Sequence, residues 1–355
     1  MMIMVSASII IGGLPVHLYD LHGILRVASN EPLTRLTRFK VSALRDPPEI
    51  TIRFGGFTPD LRGYRRIGRC WVEDRSLFCE DWYKICRFKL WMRGIDSGHT
   101  AIFFDGDPLF SREVFYVLIF EPYLTKKLSR FGALLLHAAS LEVGGRGYLV
   151  SGLTGTGKTT LLLKLLNLVG AKYLSDDQSI IKGGDVLCYP MPIGFRGHLL
   201  RSSGVGVGLA DRLNIAFGDA VNLATNSYGN YTHRVAAEKI TLPNGNPVEV
   251  GKSAPVKAVF LLNLCRDTGL TRVSPDDAAA LLMEHNQRNE DKQKLLFRFF
   301  TKYRAVYPEF DYWERYEGLV KRFAESGAEF YRVDIAERYA VEKVVKDMIN
   351  VIQND

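Results

Sequence analysis

The run Tyr148-Leu-Val-Ser151-Gly152-Leu-Thr-Gly-Thr-Gly-Lys158-Thr159-Thr160-Leu-Leu-Leu-Lys-Leu-Leu166 places an apolar strand, a glycine-rich turn and an apolar helix in immediate succession. It spells G-x-x-x-x-G-K-T from Gly152 to Thr159, with the buried strand before it and the helix after it that a phosphate-binding loop requires. Gly152, Gly155 and Gly157 let the backbone turn successive N–H groups inward, forming a concave nest for phosphate oxygens at a helix N-terminus. Lys158 is placed to reach the β and γ phosphates, and Thr159 to offer its hydroxyl to Mg²⁺. Thr154, Thr156 and Thr160 complete the candidate ATP-binding set.

Just downstream, Gly170 ends the helix and Ala171-Lys-Tyr-Leu-Ser175 reads as a short strand delivering Asp176 and Asp177. The first acid follows Lys158 by eighteen residues, room for one helix and one strand. Both acids therefore emerge at the sheet edge that carries the phosphate loop, where open α/β sheets bind ligands. Adjacent side chains of an extended chain point in different directions, which permits a division of labour. The assignment adopted here is Asp176 as base toward an attacking hydroxyl and Asp177, with Thr159, as metal ligand.

On the N-terminal side the text changes character. Residues 1–130 hold short β-type runs such as Glu49 to Phe54 and Thr100 to Phe104, separated by Gly, Pro and Asp turns, and predict a β-rich first domain that selects the substrate. The apolar run from Met1 to Val16 lacks a basic flank, is too short to span a bilayer and reads as a strand followed by a turn. Phe115 to Leu128 has helical spacing and ends in Lys126, Lys127 and Arg130, cations suited to the negative end of a helix. Residues 131–355 form the second domain, with apolar strands alternating with helices in the manner of parallel α/β layers and helices closing the C-terminus.

The chain of 355 residues with 47% hydrophobic content is long enough for two globular domains. Its net charge of +7 is spread along the chain, so a nucleic-acid partner is not expected, and neither is a membrane. Five cysteines, an odd number without C-x-x-C spacing, argue against structural zinc and fit a reducing, cytoplasmic compartment, with a Cys70 bridge to Cys79 or Cys86 left open. The chain is compatible with a homo-oligomer.

The stretch from Leu136-His137 through the phosphate loop, with Leu174-Ser-Asp-Asp177 soon after, resembles the HPr kinase/phosphorylase superfamily, which is related to phosphoenolpyruvate carboxykinases. The match spans roughly residues 131 to 200 and rests on the order of the motifs. It implies a P-loop kinase core with a mixed sheet of that type, ATP and Mg²⁺ as cofactors, the second acid as metal ligand, the first as base, and His137 near the phosphates. Tyr189 to Arg201 resembles the segment that follows the acid pair in these kinases, with Arg196, His198 and Arg201 as candidate clamps on transferring phosphate. Gly204-Val-Gly-Val-Gly208 reads as a candidate mobile lid. The glycine-rich signature of HPr kinases aligns only loosely here, through Leu200 to Gly206, and the first domain does not match theirs. The acceptor implied is accordingly a hydroxyl on free serine, a peptide or another protein rather than HPr.

Two other readings compete. A nucleotide-dependent switch that binds ATP without transferring phosphate would lack a base, and the paired acids argue against it. A motor or transporter ATPase places its metal-binding acid much farther from the loop, behind a longer apolar strand.

Overall fold

Ile50-Thr-Ile-Arg-Phe54 alternates apolar and polar residues, and its apolar side chains are the buried ones. Cys86-Arg-Phe-Lys-Leu-Trp-Met-Arg93 repeats the pattern over eight residues. In the computed structural model, which describes residues 16–83, 86–107, 111–168, 170–224, 231–291, 295–306, 313–336 and 341–353, such runs build a nine-stranded sheet. Its strands are β1 (His17–Leu21), β2 (Leu25–Ser29), β3 (Lys40–Val41), β4 (Ile50–Phe54), β5 (Arg65–Ile67), β6 (Cys70–Glu73), β7 (Ser76–Tyr83), β8 (Cys86–Arg93) and β9 (Thr100–Gly106). They lie in the order β3-β1-β2-β4-β9-β8-β7-β6-β5, with β2, β4 and β9 parallel to one another. The N-terminal run expected as strand and turn falls, except for Val16, outside the described residues.

Two helices follow, α1 (Ser111–Phe115) and α2 (Glu121–Arg130), joined by a π-helical turn over Tyr116–Phe120. Phe115 packs against Phe54, Phe104 and Phe120, with ring centroids 4.8 to 5.7 Å apart. The helix end differs from the sequence expectation. Lys126 and Lys127 are buried, and desolvation pushes their ammonium groups down to about 7 and about 8. Lys127 Nζ donates to the carbonyls of Ser97 and Gly98, and Lys126 pairs with Asp96 at 3.4 Å.

Cys70 and Cys79 face each other across β6 and β7 and form a disulfide. Of the two bridges left open for Cys70, the structure forms the one to Cys79. Cys86 and Cys188 are free and buried, and Cys265 is free and exposed.

The second sheet contains β10 (Ala133–Leu136), β11 (Ala138–Val143), β12 (Arg146–Gly152), β13 (Lys172–Ser175), β14 (Ser179–Lys182), β15 (Asp185–Leu187), β18 (Ser253–Leu264), β19 (Gly269–Arg272) and β20 (Glu329–Ile335). A separate hairpin pairs β16 (Ile193–Phe195) with β17 (His233–Val235). The main order is β10-β14-β15-β18-β12-β11-β13, with β20 on β18 and β19 on β20. Only β12, β18 and β20 run parallel among neighbours; the rest pair antiparallel, so this sheet is mixed, as the resemblance implies, and not the all-parallel layer that the alternation of strands and helices suggests. The reason is local. Gly144 and Gly145, both at positive φ, close β11 onto β12 as a tight hairpin.

The helices that follow along the chain are α3 (Lys158–Leu165), α4 (Gly197–Ser203), α5 (Leu209–Ala224), α6 (Pro275–Asp291), α7 (Leu295–Arg304), α8 (Trp313–Ala324) and α9 (Val341–Gln353). The chain forms two compact units. One comprises the described residues up to Phe131 together with Glu290–Tyr316; the other comprises Gly132–Asn289 and the described residues from Glu317 onward. Residues 290–316, read as part of the second domain, therefore belong to the first. Phe299 and Phe300 of α7 set their rings 6.4 Å from Phe88 and Tyr123, giving the apolar face of that helix a place in the first core. Among the described residues no helix is long and apolar enough to cross a membrane.

Candidate phosphate-binding site

β12 lies between β11 and β18, and its last residue, Gly152, opens the loop that leads into α3. A Cβ on Gly152 would sit 2.7 Å from Thr156 Oγ1 and 2.8 Å from Leu262 Cβ, so close packing excludes a side chain here. Gly155 and Gly157 are different. Their φ angles are 87° and 100°, in the left-handed region that favours glycine, with open space where a side chain would project. Thr156 Oγ1 donates to the Leu153 carbonyl at 2.8 Å and ties the loop to itself. Leu161, Leu162, Leu163 and Leu165 anchor α3 in the core.

Lys158, the first residue of α3, is buried, and its Nζ donates to the carbonyls of Gly152 and Leu153 at 2.8 and 3.1 Å. It also meets His137 Nε2 at 2.8 Å. Desolvation holds this ammonium below the ordinary lysine range, against the opposing charges of Asp177 and Asp176. The other ring nitrogen of His137, Nδ1, faces Asp177 Oδ1 at 3.4 Å. Lys158, His137 and Asp177 form a chain.

Asp176 and Asp177 leave the end of β13 in a tight turn. Ser175 Oγ shares its one proton between the Gln178 carbonyl and the Tyr189 carbonyl, the latter at 2.5 Å, while Gln178 N donates to the Asp176 carbonyl at 2.9 Å. Asp177 takes a φ of 99°. The two carboxylates diverge because of this turn and not through strand alternation. Asp176 is buried and receives the Thr159 hydroxyl at 3.0 and 3.2 Å from its two oxygens. Asp177 is half-exposed. Burial, followed by the Asp177 charge, pushes the Asp176 carboxyl up to about 7; the Thr159 hydroxyl, Lys158 and Arg234 oppose that shift.

The remaining predicted residues are placed as follows. Thr154 and Thr160 lie in the loop and in the first turn of α3. Arg196 immediately precedes α4, with His198 and Arg201 exposed on that helix. An arginine whose charge reaches Asp176 is Arg234, on β17, whose Nη1 lies 3.5 Å from the Pro192 carbonyl. The segment expected as a lid is pinned: Gly206 exchanges backbone hydrogen bonds of 2.7 and 2.9 Å with Thr241, and Val205 and Val207 are buried.

α6 contributes two residues that its sequence gave no reason to single out. Asn286 Oδ1 accepts the His137 backbone N–H at 2.8 Å, and Asn286 Nδ2 donates to the Leu282 carbonyl. His285 Nδ1 lies 3.1 Å from Ser151 Oγ, which in turn donates to the His137 carbonyl at 3.1 Å. Both polar groups of the His137 peptide, in the one-residue gap between β10 and β11, are thus satisfied from α6, directly or through Ser151. Desolvation and the nearby Lys158 charge push His285 down to about 4, so the imidazole is neutral. The visible sequence signal was a His-Asn pair inside an otherwise ordinary amphipathic helix.

Thr159 Oγ1 and the Asp176 carboxylate form a pair of hard oxygen donors beside the glycine-rich loop. That set fits Mg²⁺, which takes few protein ligands and keeps waters and phosphate oxygens around it. Among the described residues no group of three or more His, Cys, Asp or Glu side chains converges as a fuller metal cage. Compared with known protein families and with curated proteins, the chain matches no family model and no curated sequence.

Proposed function

We propose that this protein is an ATP-dependent phosphotransferase that moves the γ-phosphoryl group to a hydroxyl of the serine type. The observation that carries the reading is the Thr159–Asp176 hydrogen bond at the mouth of the glycine nest, with Lys158 and Asp177 meeting His137 at the same sheet edge. A fold that needed only a turn at residues 152–157 has no use for a buried acid facing the first helical hydroxyl.

The geometry supports roles for the two acids that reverse the sequence expectation. Thr159 and Asp176 would hold Mg²⁺, which when bound supplies positive charge to the phosphate oxygens. Asp177 faces solvent and His137, and is the acid positioned to accept the proton of an incoming hydroxyl. Lys158, now donating to carbonyls of its own loop, exchanges those partners for phosphate oxygens. His137 keeps Lys158 and Asp177 in register, and Arg234 adds positive charge beside the acids. HPr kinase-like chemistry on free serine, a peptide or another protein accommodates this arrangement.

The test is incubation with ATP and Mg²⁺ against free serine, other small alcohols and serine-containing peptides, read by mass spectrometry. Transfer to at least one of these acceptors, abolished by Lys158→Ala, is the expected result. Nucleotide binding without transfer to any hydroxyl would move the protein to the switch class.

A further inference from the structure

α5 turns its hydrophobic residues outward. Its buried residues are Ile215, Gly218 and Asn222, which lie on one side of the helix. On the other side Leu209, Ala210, Leu213, Ala216, Phe217, Ala220, Leu223 and Ala224 are all exposed. At about 100° per residue these eight positions form one uninterrupted apolar stripe roughly 140° wide. Leu209, Leu213, Phe217 and Leu223 are 75, 63, 64 and 85% exposed. Tyr231, 6.4 Å from the Phe217 ring, extends the patch. Water is a poor partner for a surface of this kind.

We infer that this stripe pairs with the same helix of a second copy of this chain, antiparallel, about a two-fold axis through Ala216. Three features select that occupant. Leu209, Leu213, Ala216, Ala220 and Leu223 follow a four-three-four-three spacing, the seam of two packed helices. The antiparallel two-fold sets Leu209 opposite the partner's Leu223 and Leu213 opposite the partner's Ala220, with Ala216 at the close approach in the centre. Bulky residues thereby meet small ones where the helices cross.

Charge decides the direction. Arg212 and Asp219 are seven residues apart on one flank of the stripe. In the antiparallel pair Arg212 lies opposite the partner's Asp219, and the reverse contact repeats it. A parallel pair would set this flank against the opposite flank of the partner, where Asn214 and Val221 lie, and both contacts would be lost. Each residue also has an internal anchor, Arg212 Nε on the Val207 carbonyl and Asp219 Oδ2 on Gly197 N, so both are held in position at that flank. The helix is about 24 Å long, and one helix pair is smaller than the ~800 Å² per partner of a standard stable interface, so the association belongs in the micromolar range.

This inference does not depend on the phosphotransfer reading. It is tested by sedimentation of the full chain from about 1 to 200 µM, where the wild type passes from monomer to dimer. Leu213→Glu with Phe217→Glu, both at exposed positions, raises the dissociation constant at least about 100-fold with the circular dichroism unchanged. In a Cys265→Ser background, Ala216→Cys oxidises to a disulfide-linked dimer and Leu209→Cys does not, because only residue 216 meets itself on the axis. A wild type that stays monomeric throughout, a double variant that dimerises as before, or self-crosslinking of Leu209→Cys as efficient as that of Ala216→Cys would each overturn it.

Discussion

Asp176 is a buried carboxyl whose proton affinity is set by what stands beside it. In the folded, ligand-free chain burial and the Asp177 charge push it up to about 7, against about 4 in an unfolded chain. Between those values the folded state holds the proton and the unfolded state does not. Its contribution to stability therefore declines as pH rises from about 4 to about 7, and is flat above. Asp176→Asn should remove that slope and be the more stable protein at pH 8, measured by urea denaturation without metal. Mg²⁺ reverses the sign, because the ion must displace the proton. Its apparent affinity should rise up to about tenfold per pH unit on approach to pH 7 and level off beyond, and this dependence should vanish in Asp176→Asn.

Asp177 holds a left-handed backbone that an L residue adopts at a cost of about 1–3 kcal/mol. Asp177→Gly relieves that cost and should stabilise the chain by about 1 kcal/mol, less than the full strain because glycine gains freedom when unfolded. Asp177→Asn should lower turnover by about 100-fold or more while leaving nucleotide affinity within a few-fold. Equal turnover in Asp177→Asn and wild type would return the base role to Asp176.

At the level of elements, the strand–loop–helix unit from β12 to α3 depends on two different glycine requirements. Gly152→Ala places a methyl within 2.8 Å of Thr156 and Leu262 and should cost about 1–3 kcal/mol through overpacking, read as a lowered melting temperature. α6 acts on this unit from behind. His285→Leu removes the group that supports Ser151 and, through it, the His137 carbonyl. Turnover should fall about tenfold with nucleotide affinity nearly unchanged, and His285→Asn, which restores a donor near the Nδ1 position, should recover most of it. Parallel losses of affinity and turnover in both variants would mean that α6 only packs.

For the molecule as a whole, the disulfide is the clearest lever on the first unit. Cys70 and Cys79 close a loop of about ten residues, a constraint that contributes roughly 3 kcal/mol by restricting the unfolded chain. Cys79→Ser should lower the urea midpoint of the first unit accordingly, and addition of a reductant should reproduce the effect in the wild type. Pairing of these cysteines was legible only as one of two options, since the spacing does not say which strands are neighbours. Register β6 to β7 says it.

Local patterns read true because their causes are local. Glycines, Lys158 and Thr159 in fixed order, an apolar strand before and leucines after, describe a loop whose shape its own backbone dictates. The Asp-Asp pair likewise announces two acids at a strand end, but not that a left-handed turn at Asp177 swings one carboxylate to His137 and leaves the other under Thr159. Arg234, His285 and Asn286 lie from 58 to 110 residues beyond Asp176, and nothing nearby in the chain marks them. Residues 290–316 show a helical apolar pattern that either core could have accepted. Short-range conformational preference was sufficient for the glycine-rich loop, its flanking strand and helix, and the presence of the acids. Which acid faces the Thr159 hydroxyl, what holds His137, and which core α7 joins were decided by packing between distant segments, where burial selects among partners that the chain itself leaves equivalent.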